Sequence, residues 1–404
     1  MRTIAALLIF VGFLSKASGQ DLNSYIQEAL DNSPEVQAFE LKYERAKEKV
    51  NESNTYPNTQ FGLGYFASEP ETRTGAQKFK LSATQMFPWF GSITARENYA
   101  NAVADAEYED IAITKRKLVM AVAQSYYKLY AIRAKQEVLR ENIELLETHE
   151  ELALIAVKVG KASSVDVLRI QIRENELDEK IQVFDRDFIA EQSAFNNLLN
   201  RNDSISVEVV KDMAFPLVNS LSDTDLTLHP ELVKYDKLFE SVEQANLLNN
   251  KDNKPQIGLG LDYINVAKRP DMTFDDNGKD ILMPMVTVSI PIFNKKYKSI
   301  DAQYELQQQE IRMQQQNRLN TLRTLLDKAL ETQAANRISY KTLEENLKQT
   351  KDAEAILTGT YETGLVDFDD VLDVQELQLK FQVAQIEAIK SFYIQQSIVN
   401  YLIL

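Results

Sequence analysis

The sequence predicts a mainly α protein with membrane β-strands, in which a strand hairpin followed by a long helical hairpin occurs twice. Two observations support this fold class. The same short motifs occur in both halves of the chain, and all 12 Gly and 10 Pro lie outside four long runs. Such runs favour helices longer than the usual length of about 8 to 20 residues. The runs cover residues 92–159, 161–215, 292–358 and 365–404.

Residues 1–19 have the features of a secretory signal peptide. Arg2 supplies a positive charge, residues 4–14 form an apolar core, and residues 17–19 are small, as cleavage sites require. An uncleaved membrane anchor is the alternative, but the apolar core is short for crossing a bilayer. The chain has no Cys, which excludes disulfides, and its formal net charge of −15 argues against nucleic acid as a partner.

The first long run carries the seam of a coiled coil. Its apolar residues recur at the spacings of three, four and seven that supercoiled helices use. A second apolar row lies beside the seam, so we expect this helix to contact other helices on two sides. The seam consists of Leu118, Val122, Leu129, Ile132, Leu139, Ile143 and Leu146, and the second row of Val119, Ala123, Tyr126 and Tyr130.

The sharpest repeat follows two glycines. Five residues recur in register, each displaced by 204 positions, which indicates a duplicated chain. The duplication divides the mature chain into a first repeat at 20–200, an irregular linker at 201–228 and a second repeat at 229–404. The matching residues are Gly160, Asp166, Val167, Leu168 and Gln171 in the first repeat, and Gly364, Asp370, Val371, Leu372 and Gln375 in the second.

Four segments between the helical runs are candidate strands, and the first three of them alternate apolar and polar residues. They are residues 59–67, 78–87, 256–266 and 281–290. Their length approaches the 9 to 11 or so residues of a tilted membrane strand, with one face toward lipid and one toward water. A half-buried soluble sheet gives the same alternation, but the aromatic residues at the strand ends favour a membrane interface. Because four strands cannot enclose a barrel, several copies must share one, which predicts a homo-oligomer.

This order of elements resembles the TolC family of outer membrane efflux channels. The resemblance covers essentially all of the mature chain, and its motifs are Q-M-F-P-W-F-G at 85–91, S-I-P-I-F-N at 289–294 and the two glycine turns. It implies a homotrimer whose twelve strands form one barrel in the outer membrane of a Gram-negative bacterium, continuous with a periplasmic α-helical tunnel. It further implies a passive export duct without cofactors.

The resemblance also implies partners and assigns residues to them. A periplasmic adaptor and an inner membrane transporter, for example of the resistance-nodulation-division type, would join the channel, and lipid would surround the strands. The adaptor would dock at two tips. Glycine at these tips equally suits the end of a helix, whatever binds there. The tips are Val159, Gly160 and Lys161, and Thr363, Gly364 and Leu365.

The same resemblance places a periplasmic gate at Asp370 and Asp373, with Tyr361 as a brace. A spacing of three puts both carboxylates on one helix face. A trimer would bring six of them around one axis, where they would attract cations. The alternative is that acids at a helix start favour the helix dipole and cap free N–H groups. Val366 stands where the prototype of the family has an arginine, which argues against a salt-bridge latch there.

Two other classes of protein fit parts of the pattern. An enzyme is disfavoured because the chain has only His149 and His229, and H-E-E at 149–151 lacks the second His of a zinc motif. We expect His149 on a polar helix face and His229 just before the proline that starts a helix. A periplasmic coiled-coil adaptor or scaffold also contains long hairpins, but we expect it to have one hairpin between soluble β-domains. The exported substrate, whether metal ions, drugs or protein, stays open.

Overall fold

The structure is a computed structural model that describes residues 22–160, 163–216, 225–362, 366 and 368–403, so the predicted signal peptide lies outside it. Among the described residues, no helix carries an apolar stretch long enough to cross a bilayer. The helices are α1 (Leu22–Asn32), α2 (Pro34–Ser53), α3 (Ser92–Lys158), α4 (Ser164–Leu198), α5 (Pro230–Asp252), α6 (Lys296–Glu362) and α7 (Phe368–Ile403). The strands are β1 (Gln60–Tyr65), β2 (Glu71–Thr72), β3 (Gly75–Phe87), β4 (Gln256–Val266) and β5 (Ile281–Ser289).

The chain divides into two compact units, and each takes residues from both halves of the sequence. The sheet unit contains Glu35–Thr114 and Asp225–Arg323, and so holds all five strands, α5, nearly all of α2 and the first parts of α3 and α6. The helical unit holds α1, α4, α7 and the remaining parts of α3 and α6. Its segments are Met1–Pro34, Lys115–Thr224 and Thr324–Leu404. The predicted repeat boundaries stay a prediction.

The sheet is antiparallel with the strand order β1-β3-β4-β5, and the short strand β2 pairs with β3. Each repeat therefore supplies one strand hairpin, and the pairing of β3 with β4 joins the two hairpins. All four predicted strands are present. β3 begins at Gly75, earlier than the predicted start at residue 78, because Glu71 and Thr72 pair with Ala76 and Gly75.

The register gives the sheet two distinct faces, since alternate side chains of a strand point to opposite sides. The apolar face is strongly exposed, with Phe61 at 82% and Val286 at 71%. On the polar face, the fully buried Asp262 forms an ion pair with Lys80. The apolar face contains Phe61, Leu63, Tyr65, Phe79, Leu81, Ala83, Ile257, Leu259, Leu261, Tyr263, Leu282, Pro284, Val286 and Val288. The polar face contains Gly62, Gly64, Lys80, Ser82, Thr84, Met86, Gly258, Gly260, Asp262, Met283, Met285 and Thr287. The register also places Ile264 and Ile281 on the polar face and Gln85 on the apolar face.

The starts of α4 and α5 are capped by side chains at or just before the first helical turn. At α4, the hydroxyl of Ser163 accepts a hydrogen bond from the backbone N–H of Val165, and the carboxylate of Asp166 accepts one from the backbone N–H of Ser163. At α5, the ring nitrogen Nδ1 of His229 accepts a hydrogen bond from the Glu231 N–H, directly before Pro230. Each cap satisfies N–H groups that a helix start otherwise leaves unpaired. The expected position of His229 is confirmed.

The predicted seam of α3 forms the core of the helical unit. Val122, Leu129, Leu139 and Leu146 are all buried, which confirms the seam. Residues of this seam belong to two apolar clusters. The first packs α3 against α1 and α4 around Tyr25, Tyr126 and Phe195, whereas the second, described with the candidate site, packs α3 against α4 and α7.

The segment 201–216, which follows α4, forms neither helix nor strand and is fastened by tyrosine hydroxyls. Tyr126 accepts a hydrogen bond from the Val210 N–H (3.1 Å) and Tyr130 one from the Met213 N–H (3.2 Å). Tyr25 accepts from the Glu208 N–H, and Tyr393 donates to the Ala214 carbonyl (2.9 Å). This segment, here called the strap, is thereby tied to α1, α3 and α7. Part of the predicted linker, residues 217–224, lies outside the described residues.

Candidate functional site

The first candidate tip is the turn between α3 and α4. Gly160 has a φ of +73°, and its N–H donates to the Val157 carbonyl (3.0 Å), which ends α3. A side chain added at Gly160 would meet no atom within 4 Å, so backbone conformation alone favours glycine there. Val159 is 63% exposed beside it. Lys161 lies outside the described residues.

The second candidate tip lies almost wholly outside the described residues. Thr363, Gly364 and Leu365 belong to it, and the structure describes only the helices on either side, which end at Glu362 and resume at Phe368. The adaptor-docking role of both tips therefore stays a prediction.

The predicted gate residues, Tyr361, Asp370 and Asp373, lie close to the second apolar cluster of the helical unit. Tyr361 packs against the ring of Phe368 at a centroid distance of 5.1 Å, and its buried hydroxyl makes no hydrogen bond. Burial, and to a smaller extent Asp166, raises the pKa of Tyr361. Asp370 and Asp373 are both exposed on α7. The structure thus places the predicted brace, Tyr361, partly buried against this cluster and the two carboxylates at the surface.

An ion pair next to the gate residues joins α4 to α7, and sequence reasoning missed it. Arg169 of α4 pairs with Asp369 of α7, both about half exposed. One turn further along α4, Arg173 lies 2.8 Å from Glu176 and 3.6 Å from Glu376. The repeat in the sequence already showed that these two helices differ in charge. The displacement of 204 that aligns Asp166 with Asp370 also aligns Arg169 with Asp373, so the two helices differ in charge at equivalent positions.

A cavity of about 260 Å³ lies between α3, α4 and α7 beside this ion pair. Arg169, Arg173, Asp369 and Asp373 all line it, so its wall carries charges of both signs. Asp373 therefore lines the same cavity as two guanidinium groups of its own chain.

The expected position of His149 on a polar helix face is wrong, because its side chain is buried. Its ring packs against Phe368, with centroids 5.6 Å apart, and its Nε2 lies 2.6 Å from the Nε2 of Gln375. Gln375 and Gln378 donate to the two oxygens of Glu354 at 3.0 and 2.7 Å. The network joins α3, α6 and α7.

His149 is buried because it continues the seam of α3. It lies three residues after Leu146 and four before the fully buried Ala153, the spacing that the seam has throughout. The charged neighbours Glu150 and Glu151 concealed this. Desolvation lowers the pKa of His149, and the charge of Glu354 opposes that shift. The side-chain amide of Gln375 donates one of its two N–H groups to Glu354. The second N–H can donate to the Nε2 of His149, so the arrangement suits a neutral imidazole that accepts this hydrogen bond.

Comparison with known proteins relates the chain to outer membrane proteins. The family model for outer membrane efflux proteins matches residues 25–183. A comparison with curated proteins gives no match. The fold is similar to that of the outer membrane protein VceC of Vibrio cholerae, with a TM-score of 0.73 and 18% identity over 94% of this chain and 95% of that one.

Two further solved structures have the same fold. CusC, studied for changes that accompany folding and transmembrane channel formation, matches with a TM-score of 0.77 and 15% identity over 95% of this chain and 92% of its own. The CmeC outer membrane channel of Campylobacter jejuni matches with a TM-score of 0.70 and 15% identity over 94% of this chain and 85% of its own. The likeness extends over nearly the full length of each protein, so the fold of this chain is that of outer membrane channels.

Proposed function

We propose that this chain, whose residues 25–183 belong to the outer membrane efflux protein family, is the outer membrane channel of a tripartite efflux pump or type I secretion system. It exports its substrate passively from the periplasm. The family is one of export proteins, and no catalysis is part of the proposal.

The observation that carries the proposal is the exposed apolar face of the sheet. Phe61, Leu63 and Tyr65 are each more than three-quarters exposed, and the face continues over β3, β4 and β5. In water, so large a contiguous apolar surface would promote association. In a bilayer the same surface is in its preferred solvent, while the polar face lines an aqueous interior. The alternation of the two faces thus supports a membrane location for the strands.

The sheet edges support assembly from several copies. Among the described residues, β1 pairs only with β3, and β5 pairs only with β4, so each leaves one edge open. Unpaired N–H and C=O groups are not tolerated in lipid. Pairing of β1 with β5 of the next copy would satisfy both edges, and three copies would give the twelve strands that the family resemblance implies.

An adaptor or scaffold protein explains the helices but not the sheet. The long helices α3 and α6 would suit a periplasmic coiled-coil hairpin equally well. A soluble protein would, however, have to cover the apolar face of the sheet with other elements of its own or of a partner. The family match and the shared fold also favour the channel.

The proposed channel works with a periplasmic adaptor and an inner membrane transporter. The adaptor docks at the tips formed by residues 159–161 and 363–365, and a gate beside them contains Tyr361, Asp370 and Asp373. The acids set cation preference, while packing of the helical unit holds the entrance closed. The ion pair of Arg169 with Asp369 adds one contact between α4 and α7 next to this gate.

Membrane fractionation and conductance test the proposal together. The protein is expected in the outer membrane fraction as a trimer that resists extraction, and the purified trimer should form ion channels in planar lipid bilayers. A monomer in the soluble periplasmic fraction would contradict the proposal. Asp370→Ala combined with Asp373→Ala should reduce cation preference without changing trimer yield, and the gate assignment fails if selectivity and block by divalent cations match the parent channel.

A further inference from the structure

We propose that protonation of the buried His149 opens the periplasmic entrance, so that mild acid switches the channel from closed to open. This switch rests on the proposed function, because it takes the region of Tyr361, Asp370 and Asp373 to be the gate. It deepens that function by naming the proton as the ligand that regulates the gate.

The contacts of Gln375 fix which atoms face His149. Glu354 of α6 accepts hydrogen bonds from the side-chain amides of Gln375 (3.0 Å) and Gln378 (2.7 Å). Because an ionised carboxylate only accepts hydrogen bonds, the Gln375 Nε2 must point at Glu354. The same nitrogen lies 2.6 Å from the Nε2 of His149. His149 therefore accepts a hydrogen bond there, which requires a neutral imidazole.

Protonation of His149 is incompatible with this arrangement. An imidazolium carries an N–H on both ring nitrogens, so its Nε2–H would face the N–H of Gln375. Rotation of the Gln375 amide would bring its oxygen, which is buried and makes no hydrogen bond within the described part of the chain, to the imidazolium. The same rotation would take the N–H away from Glu354. The network loses a hydrogen bond in either case.

The charges around His149 do not compensate for its burial. The side chain is 6% exposed, and desolvation lowers its pKa more than the charge of Glu354 raises it. The residues that α4 and α7 contribute to these surroundings are uncharged. They are Val167, Ile170, Phe368 and Gln375. Three further acids of α3 and α4 act on one another instead. They are Glu147, Glu150 and Glu174.

The ring of Phe368 connects His149 with the predicted gate. Phe368 is the first residue of α7 and is 2% exposed. Its ring centroid lies 5.6 Å from that of His149 and 5.1 Å from that of Tyr361, whose pKa is raised by burial, so that it stays uncharged. Asp370 and Asp373 follow within the first two turns of α7. Loss of packing at His149 therefore loosens the start of the helix that carries the gate acids.

Burial gives the switch its direction. In the packed entrance desolvation lowers the pKa of His149, whereas an open entrance that admits water to the ring leaves the pKa near its ordinary value of about 6.5. The open form then binds the proton more readily, so opening is favoured as the pH falls below about 6.5. The gate acids respond in the opposite sense, because protonation of Asp370 and Asp373 removes the repulsion that opposes closure.

The test is the potassium conductance of the purified trimer in planar lipid bilayers, from about pH 7.5 to about pH 5.5, on either side of the ordinary histidine pKa. The ratio of open to closed channels should rise as the pH falls, by up to about tenfold for each pH unit and each histidine that titrates. His149→Gln, which keeps a neutral polar side chain, and His149→Leu, which continues the apolar seam, should both remove the rise. The matched control is His229→Asn, which replaces the other histidine of the chain and should keep it.

A spectroscopic readout shows whether His149 is the group that takes up the proton. With the histidine rings labelled with ¹³C, the NMR signal that disappears in His149→Gln belongs to His149. This signal should shift over the same pH range as the conductance. Opening at a pH where the His149 ring is still neutral would overturn the switch, as would a rise that persists in both His149 variants or disappears in His229→Asn.

The same recordings separate the switch from the proposed function. A parent channel that conducts equally at all these pH values disproves the switch and leaves the channel intact. A trimer that conducts at no pH contradicts the channel itself, and the switch is disproved with it.

Discussion

The last helices of the two repeats begin alike and then carry opposite charges. Asp166 is the third residue of α4 and Asp370 the third residue of α7; Asp166 is half-buried and Asp370 is exposed. One turn later, α4 has Arg169 where α7 has Asp373. Arg169 pairs with Asp369 across the two helices. The difference teaches that two helices with the same acid at their third position can carry opposite charges one turn later and become partners in an ion pair within one chain.

The comparison extends to the sheet, where both repeats should use their strands in the same way. Leu81 of the first repeat and Leu259 of the second lie on the apolar face and are each about half exposed. Replacing either by Arg should cost about 2 to 4 kcal/mol if the position lies near the middle of the bilayer. Thr287→Arg on the polar face is the control and should cost much less. Denaturant unfolding in lipid vesicles measures the difference, and equal costs on both faces would indicate a soluble sheet.

The two repeats also differ in how they use glycine near their turns. Gly160 adopts a left-handed conformation with φ of +73°, whereas Gly359 lies inside α6, and a side chain at either would meet nothing within 4 Å. Gly160→Ala should therefore destabilise the protein by about 1 kcal/mol through backbone strain alone. Gly359→Ala should stabilise it by about 0.5 to 1 kcal/mol, because alanine favours a helix. The two melting temperatures must shift in opposite directions; a shift of the same sign would remove this contrast.

The buried His149 predicts a dependence of stability on pH that its repeat counterpart, Ala353, lacks. Because burial lowers its pKa, the unfolded chain binds this proton more readily than the folded chain. The free energy of unfolding should therefore fall as the pH drops below about 6.5, the ordinary value for histidine, and level off below the folded pKa. Glu354 offsets part of the effect. His149→Gln should flatten the melting temperature between pH 7 and 5.

His229→Asn is the control for that measurement, since asparagine also caps a helix start. It should leave the slope that His149 produces in place. If the slope disappears in His229→Asn and persists in His149→Gln, the assignment to His149 is wrong.

The ion pair between Arg169 and Asp369 should contribute less to stability than the leucine, glycine and histidine positions described above. Both Arg169 and Asp369 are about half exposed, and such pairs contribute about 0.2 to 1 kcal/mol. A double-mutant cycle with Arg169→Ala and Asp369→Ala should give a coupling energy in that range that decreases at high salt. The same cycle with Arg173 and Glu376, whose closest atoms are 3.6 Å apart, should give less. A larger coupling for the second pair would contradict this ranking.

Patterns with a fixed period allowed most of the fold to be predicted from the sequence. The seam of α3 and the alternation in β1, β3 and β4 depend only on which residues of a regular element share a side, and both are confirmed. The end of the seam was missed at His149 because one polar residue among charged neighbours resembles a solvent-exposed face. Periodicity would still have placed it in the core.

The candidate site was less predictable because its contacts join distant segments. Arg169 and Asp369 are 200 positions apart, and no local pattern relates them.

The strap has a consequence for how freely its sequence can change. All the hydrogen bonds that fasten it to Tyr25, Tyr126, Tyr130 and Tyr393 use its backbone N–H and C=O groups, which every residue other than proline supplies in the same form. The part of the attachment that these four hydroxyls provide is therefore independent of the side chains of the strap. Two strap residues add contacts through their side chains, since Val207 is buried in the first apolar cluster and Phe215 stacks on Tyr340. Over evolutionary time the exposed positions of the strap can accept substitutions that leave its attachment intact, whereas each tyrosine-to-phenylalanine exchange removes one anchor.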